Sequence, residues 1–221
     1  MCRHRKNLWC VVIVMIMCGV TFGLINKLYN MKSGYEIYEA YENRDPENSI
    51  TANLGTISKL EMWDELSDDE KNVVLFAILR VETRLLGLND IPKVRITDLD
   101  FCSGYDDEEN IIYLSRDIYE KPSDVYEIVD SLSHEVYHAY QKEVIELYLK
   151  MYSDRKYEKE RNLFLFRDAI IYSKEILEYE KGFNDINKYL SQELERDAFE
   201  YGKKAVEEYR ECVSGYLERN K

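Results

Sequence analysis

The scarcity of chain-breaking residues is the feature that most limits how this sequence can fold. Only nine glycines and three prolines occur among 221 residues, and a fold built from many short strands needs more turns than these can supply. An apolar fraction of 45% beside 33% charged residues is typical of a globular protein. We therefore expect an α+β domain that is mostly helical, and we exclude an all-β fold.

Local patterns divide the first part of this domain into a core helix and a small sheet. Ser67 and Glu70 have the spacing of a helix-capping box, and the apolar helical pattern behind them ends near Gly87. Short strands are then predicted for KVRITDL (93–99) and IIYLS (111–115), with the turn-like stretch SGYDDEEN between them. Together the two strands predict a small β-hairpin or meander.

Helical periodicity returns after the strands and continues towards the end of the chain. One helix is predicted from Ser123 to about Ser153, another over 155–181 that ends at Gly182, and a last one from near Ser191. The predicted order of elements is therefore a helix, a small sheet and three further helices.

An uncharged run of eighteen residues, Leu8 to Ile25, follows the basic N-terminus MCRHRKN. At 1.5 Å per residue a helix of this length spans about 27 Å, which is enough to cross the hydrocarbon core of a bilayer. Three basic residues precede the run and two follow it, so the basic end is expected to stay in the cytoplasm. The sequence predicts a single-pass transmembrane helix in the cell membrane, with the following domain on the extracytoplasmic side.

A cleaved signal peptide is the alternative for this segment, and it would give a secreted protein. Thr21 and Gly23 make a poor cleavage site, so we favour a retained signal-anchor. The predicted organisation is a signal-anchor segment over 1–32, a membrane-proximal spacer over 33–56 and a folded domain over 57–221.

Charge and cysteine content exclude one class of partner and one kind of scaffold. Residues 1–32 hold five of the 30 basic residues and no acid, so the remainder carries 25 basic against 43 acidic residues, a net charge of −18. A domain this acidic is repelled by phosphate backbones, which excludes nucleic acid as a partner. Cys102 and Cys212 are the only cysteines beyond the anchor, which permits one disulfide but no four-cysteine zinc site.

The stretch SLSHEVYHAYQ contains two of the three histidines, at the spacing H-E-x-x-H. Residues four apart on an α-helix lie about 40° apart around its axis, so His134 and His138 can direct both imidazoles at one metal ion. Glu135 lies about 100° from His134 and can act as general base on a metal-activated water without being a ligand. The motif predicts one zinc ion per chain.

Catalytic zinc usually has three protein ligands, and the third must come from elsewhere in this chain. A histidine further along the same helix is excluded, because Gln141 and Val144 stand where that pattern needs glycine and histidine. The segment YLSQELERDAFEYG supplies Glu193, Glu195 and Asp197. Only Glu195 lies in the middle of an apolar helix face, where an unpaired carboxylate is costly, so Glu195 is the predicted third ligand.

The segments HEVYHAYQ and LERDAFEYG together resemble small gluzincin-type (minigluzincin-like) zinc metallopeptidases of bacteria and phages. Those proteins resemble one another in an H-E-x-x-H helix followed by a later E-x-[DE]-A helix. The resemblance implies a zincin-like catalytic domain in which His134, His138 and Glu195 bind zinc. It also implies that Glu135 is the general base.

Two further implications of this resemblance concern the sheet and the third ligand. The segment ENIIYLS is expected to be the substrate-side edge strand above the active helix. A related gluzincin pattern, E-x-x-x-D, would instead select Glu193 as the ligand, with Asp197 behind it. Residues 1–90 take no support from the resemblance.

Three functions are compatible with these residues. The first is a membrane-anchored zinc metallopeptidase that hydrolyses peptide or protein substrates. The second is a zinc-dependent amidase acting on cell-wall peptides, which the sequence does not separate from the first. The third is a zinc-stabilised, non-catalytic interaction module, which the intact Glu135 argues against because a purely structural site needs no general base. The sequence does not choose among Tyr137, Tyr140 and Tyr189 as a transition-state stabiliser.

Overall fold

The structure is a computed structural model that describes residues 35–36, 50–153, 159, 163, 166–176 and 186–220. The predicted anchor, Leu8 to Ile25, lies outside these residues, as does most of the predicted spacer. No helix within the described ranges is long and apolar enough to cross a membrane.

Seven α-helices, one 3₁₀ helix and four strands make up the described part of the chain. In chain order they are β1 (Tyr35–Glu36), α1 (Ile50–Ile57), the 3₁₀ helix (Ser58–Glu65), α2 (Asp68–Leu85), β2 (Lys93–Thr97), β3 (Ser103–Asp106), β4 (Ile111–Ser115), α3 (Arg116–Glu120), α4 (Glu127–Ser153), α5 (Ala169–Glu175), α6 (Ile186–Ser191) and α7 (Glu193–Arg219). The protein is thus mostly helical with one small sheet, as the α+β prediction required.

Helix α2 forms where the sequence predicted a core helix, and local chemistry fixes both of its ends. The Ser67 hydroxyl accepts a hydrogen bond from the backbone N–H of Glu70, and the Glu70 carboxylate accepts one from the backbone N–H of Ser67. After the helix, Gly87 has a φ of 71°, a left-handed conformation that glycine adopts without steric cost. Leu75 and Ile78 are fully buried, so the helix contributes directly to the core.

The sheet has the order β1-β2-β4-β3, which differs from the predicted arrangement. Both predicted strands are present as β2 and β4, but they pair in parallel, with Lys93 opposite Ile111. The prediction of a hairpin between these two strands is therefore wrong. The chain returns through β3, which lies in the stretch interpreted as a turn, and the short connection 107–110 allows β3 and β4 only an antiparallel pairing.

Strand β4 is a central strand of the sheet. It lies between β2 and β3, and all five of its residues are buried. The expectation that ENIIYLS forms the edge strand is therefore wrong, and β3 is the edge strand on that side. A strand covered on both faces reads as a continuous apolar run, and this is what IIYL is.

Internal contacts divide the chain into two units. The described part of the larger unit contains α1 to α3, most of the sheet, the first half of α4 and most of α7. Fully buried residues from six of its elements form one core: Leu60, Val74, Ile96, Leu114, Leu132 and Val213. Helix α1 begins at Ile50 and buries Leu54 and Ile57, so the folded domain starts inside the segment predicted as a spacer.

The described part of the smaller unit comprises the turn 106–109, the end of α4, α5, α6 and the start of α7. Its apolar cluster consists of Ile145, Tyr172 and Leu194. Helix α5 lies inside the helix predicted over 155–181, most of whose other residues fall outside the described ranges. Helix α6 was not predicted, whereas α7 begins two residues from the predicted start at Ser191.

Within the larger unit, helix α7 approaches α4 closely at Gly202. A Cβ atom at this position would lie 2.3 Å from Oδ1 of Asp130 and 3.1 Å from its carbonyl oxygen, so only glycine permits the approach without displacement. The same helix contacts α2, because the buried Glu82 carboxylate accepts hydrogen bonds from Tyr201 (2.7 Å) and Tyr209 (2.8 Å). Helix α7 is therefore held by α2 and by α4.

Replacing two glycines of α7 by alanine separates this packing constraint from helix propensity. Alanine is the better helix former by about 1 kcal/mol. Gly202→Ala should nevertheless lower the free energy of unfolding by about 1–3 kcal/mol, because the new methyl group overlaps Asp130. Gly215→Ala should leave that free energy unchanged or raise it, since the nearest atom to its Cβ would be 3.6 Å away. Urea denaturation measures both, and equal effects would contradict the close approach.

Candidate metal centre

His134 and His138 lie one turn apart on α4, and their imidazoles converge. Their Nε2 atoms are 3.0 Å apart, and the rings meet edge to face with centroids 4.6 Å apart. Two nitrogens bound to one tetrahedral zinc at about 2.0–2.1 Å would lie about 3.3 Å apart, so the observed separation is close to what a shared ion requires. Helix α4 therefore directs two imidazole nitrogens at one point, as the H-E-x-x-H spacing predicts.

Helix α7 brings the third ligand group to these histidines. The ring of Phe199 packs on that of His134 with centroids 4.5 Å apart, and Glu195 lies one turn before Phe199 on the same helix. Ligand atoms of His134, His138 and Glu195 all lie within 4.8 Å of one another, so these three groups can hold a metal ion. Glu195 is only 1% exposed, as expected for a carboxylate on the apolar face of its helix.

The two neighbouring acids on α7 have other partners. The carboxylate of Glu193 forms an ion pair with Arg196 at 3.0 Å. The carboxylate of Asp197 accepts a hydrogen bond from the hydroxyl of Tyr172. Neither acid belongs to the metal-ligand group found among the described residues. The geometry therefore favours Glu195 over the alternative in which Glu193 is the ligand.

Two side chains fix the first turn of α7, and with it the position of Glu195. Nε2 of Gln141, on α4, donates a 2.8 Å hydrogen bond to the carbonyl oxygen of Leu194. The carboxylate of Glu175, at the end of α5, accepts hydrogen bonds of 2.9 Å from the backbone N–H groups of Glu193 and Leu194. A carboxylate at a helix N-terminus satisfies donors that the helix leaves unpaired and interacts favourably with its dipole. The backbone next to Glu195 is thus held from both sides.

Glu135 lies beside the metal group without belonging to it. Its side chain is 4% exposed, and Oε1 accepts a 2.7 Å hydrogen bond from the hydroxyl of Ser103. Ser103 is the first residue of the edge strand β3. The candidate general base is therefore in direct contact with the edge of the sheet, and its second carboxylate oxygen is a further acceptor for a proton.

Of the three tyrosines left undecided by the sequence, Tyr189 contacts the candidate metal group. Its hydroxyl donates a hydrogen bond to Oε2 of Glu195 at 2.5 Å. Tyr137 instead stacks on Tyr201 with centroids 4.9 Å apart, and it packs beside Tyr140. The phenol of Tyr189 thus orients the carboxylate of Glu195, the predicted third ligand.

Sequence reasoning missed several side chains of this site. In the sequence, Gln141 is only a residue three places after His138. Its polar side chain is 1% exposed in the structure, which indicates a buried hydrogen-bonding role. Ser103 is 32 residues away from Glu135, and no local pattern indicates their contact. Glu175 is likewise 18 residues away from the helix start that it caps. Contacts across such distances become visible only in the folded chain.

Carboxamide substitutions test which carboxylate binds the metal. Glu195→Gln should weaken zinc binding by about 100-fold or more, because a neutral amide replaces a charged ligand. Glu193→Gln is the matched control on the same helix: it loses only a partly exposed ion pair and should keep the wild-type affinity. Competition with a chromophoric zinc chelator measures both. Loss of zinc in Glu193→Gln alone would show that the Glu193–Asp197 pattern holds the ion.

Comparison with known proteins identified no relative of this chain from which a function could be inferred. No protein-family model, no curated protein and no solved structure matches the chain at a significant level. Any function assigned to the three converging ligand groups rests on the residues and distances of the site and on the motifs in the sequence.

Proposed function

We propose that the protein is a zinc-dependent metallopeptidase with one zinc ion per chain. The convergence of His134, His138 and Glu195 within 4.8 Å carries this proposal. Two imidazoles and one carboxylate form the ligand set of many catalytic zinc sites, whereas calcium and magnesium favour sites made of oxygen ligands. A typical structural zinc site has four protein ligands, and the group found in the described ranges has three, so one position is left for water or substrate.

The chain's own groups provide the proton transfers of peptide hydrolysis. A zinc ion held by the three ligands would supply a Lewis acid that lowers the pKa of a water molecule from 15.7 to about 7. Glu135 accepts a proton from the attacking water and delivers it to the leaving amine. The Ser103 hydroxyl holds one oxygen of the Glu135 carboxylate at 2.7 Å and so fixes the direction of the base. A non-catalytic interaction module would have no use for a base placed in this way.

Tyr189 is our candidate for stabilising the negative charge that develops on the scissile carbonyl. Its phenol donates a hydrogen bond to Glu195, a proposed ligand, at 2.5 Å, and in the reaction its single O–H would have to turn from that carboxylate to the substrate carbonyl. Phenolic hydroxyls are among the donors that perform this task in enzymes, and one such donor commonly contributes a factor of about 10²–10³ to kcat.

Strand β3 is the proposed docking strand for an extended peptide. It lies at the edge of the sheet, and its first residue, Ser103, contacts Glu135. The main-chain groups of an edge strand can pair with an added strand, which is a common way of binding a peptide. A peptide paired with β3 would pass the proposed base. An amidase acting on cell-wall peptides would use the same metal ligands and the same base.

The proposed location remains the cell membrane, with a single span over Leu8–Ile25 and an extracytoplasmic catalytic domain. A secreted enzyme released by signal cleavage is the alternative. The net charge of −18 beyond residue 32 makes nucleic acid an unsuitable partner. Peptide or protein substrates and the membrane are therefore the proposed partners.

Glu135→Gln separates catalysis from metal binding. The variant should retain about one zinc per chain, because no ligand is removed, and its hydrolysis rate should fall by about 10²–10⁴-fold because the base is lost. The zinc-loaded full-length protein would be incubated with a diverse peptide library and, separately, with peptides from cell walls, and the products identified by mass spectrometry. Cleavage of cell-wall peptides alone would favour the amidase. If neither set is cleaved, or if the variant matches the wild type, the hydrolase proposal fails.

Tyr189→Phe tests the proposed charge-stabilising donor. It should lower kcat by about 10²–10³-fold and leave KM nearly unchanged, because the lost hydrogen bond forms mainly in the transition state. Tyr137→Phe is the matched control, since its ring stacks on Tyr201 and its hydroxyl has no proposed role in hydrolysis. Steady-state kinetics on the best library peptide measures both variants. An unchanged kcat in Tyr189→Phe would remove this residue from the mechanism.

A further inference from the structure

Asp130 lies one helical turn before His134 on α4, and one oxygen of its carboxylate is buried without a hydrogen bond from the described residues. Its Oδ1 atom is buried and makes no hydrogen bond to any residue in the described ranges. Burying a carboxylate oxygen without a hydrogen bond is unfavourable, although Asp130 as a whole is only half-buried. An oxygen buried in this way is expected to accept a hydrogen bond in another state of the protein.

The opposite helix makes room for this oxygen. Gly202 of α7 lies where a Cβ atom would be 2.3 Å from Asp130 Oδ1. A glycine inside a helix is itself less favourable than alanine. The buried oxygen of Asp130 and the helix glycine Gly202 are each unfavourable locally, and the two are in contact.

The same turn of α4 carries a histidine that needs an acceptor when it binds a metal ion. Nε2 of His134 is the nitrogen that faces Nε2 of His138, so the ion would bind there and Nδ1 would carry the proton. Metal-bound imidazoles almost always donate this second N–H to a carboxylate, a carbonyl or water. Side chains four residues apart on a helix are neighbours, which brings Asp130 into range of His134.

Burial raises the pKa of the Asp130 carboxyl above its usual value, Coulomb interactions with His134 and Lys203 oppose this rise, and Glu127 adds to it. Helix α7 offers His134 the ring of Phe199 at the position one turn after Glu195.

We propose that Asp130 is a positioning residue for the metal centre: in the metal-bound protein its Oδ1 accepts the Nδ1–H of His134, and Gly202 provides the space for it. The bond fixes the imidazole in the tautomer that presents Nε2 to the ion. This inference rests on the metal-binding part of the proposed function and is independent of whether the protein cleaves peptides.

The test compares two variants of the full-length protein, Asp130→Asn and Lys203→Gln. Asp130→Asn should raise the Kd for zinc by about 10–100-fold and shift the visible absorption bands of the cobalt-substituted protein, because it weakens the acceptor behind one ligand. Lys203→Gln removes a positive charge that interacts with Asp130 and should change neither quantity. A zinc Kd within threefold of the wild type, together with an unshifted cobalt spectrum in Asp130→Asn, would overturn the proposal.

A second variant covers the case in which Asp130→Asn does not fold. Asp130→Ala removes the carboxylate and keeps Gly202, so the close approach of the two helices is unchanged. This variant should fold and show the same weakened zinc binding, and wild-type affinity in it would overturn the proposal. If the wild-type protein binds no zinc, the metal centre and Asp130's role both fail. If it binds zinc and cleaves nothing, only the peptidase fails.

Discussion

The close approach of α4 and α7 is the constraint on which the rest of the site depends. At Gly202 the two helices are so close that a Cβ atom would overlap Asp130 of α4. One turn back along α7, Phe199 packs on the ring of His134, and one further turn back lies Glu195. A larger residue at position 202 would overlap Asp130 and displace one of the two helices. The packing of α7 on α4 beside the ring of His134 therefore depends on this glycine.

Four carboxylates are buried among the described residues, and three of them accept a hydrogen bond from a hydroxyl group, whereas Asp106 accepts from the backbone N–H groups of Glu108 and Glu109. Glu82, Glu135 and Glu195 are all less than 5% exposed, and each accepts at least one hydrogen bond from a serine or a tyrosine. Burial raises the pKa of Glu82 above its usual value, while two tyrosine hydroxyls partly offset this effect and join α2 to α7. A carboxylate has about four acceptor sites. One hydroxyl therefore steadies Glu135 or Glu195 and leaves capacity for a proton or an ion.

The parts of this structure that were predictable from the sequence are those set by local periodicity. The capping box at Ser67, the paired histidines and the apolar face around Glu195 are each properties of a single helix, and the structure has all three. Strand β3 was not predicted because its residues, SGYD, are typical of turns and it is held as a strand by its pairing with β4. Because the chain passes through β3 before it reaches β4, β4 can run parallel to β2. Non-local pairing is the information that periodicity does not carry.

The contacts that the sequence did not predict hold the backbone and the carboxylate of the proposed third ligand. Gln141 and Glu175 hold the backbone beside Glu195, and Tyr189 holds its carboxylate. Fixing the backbone of one residue costs about 1–2 kcal/mol of conformational entropy, and here the cost is met when the chain folds. An ion bound by these groups, as we propose, would not have to order the carboxylate of Glu195, and at one hundred times Kd it would stabilise the folded state by about 2.7 kcal/mol. The motif places the proposed ligand atoms, and contacts between residues far apart in the sequence hold the proposed third ligand in place.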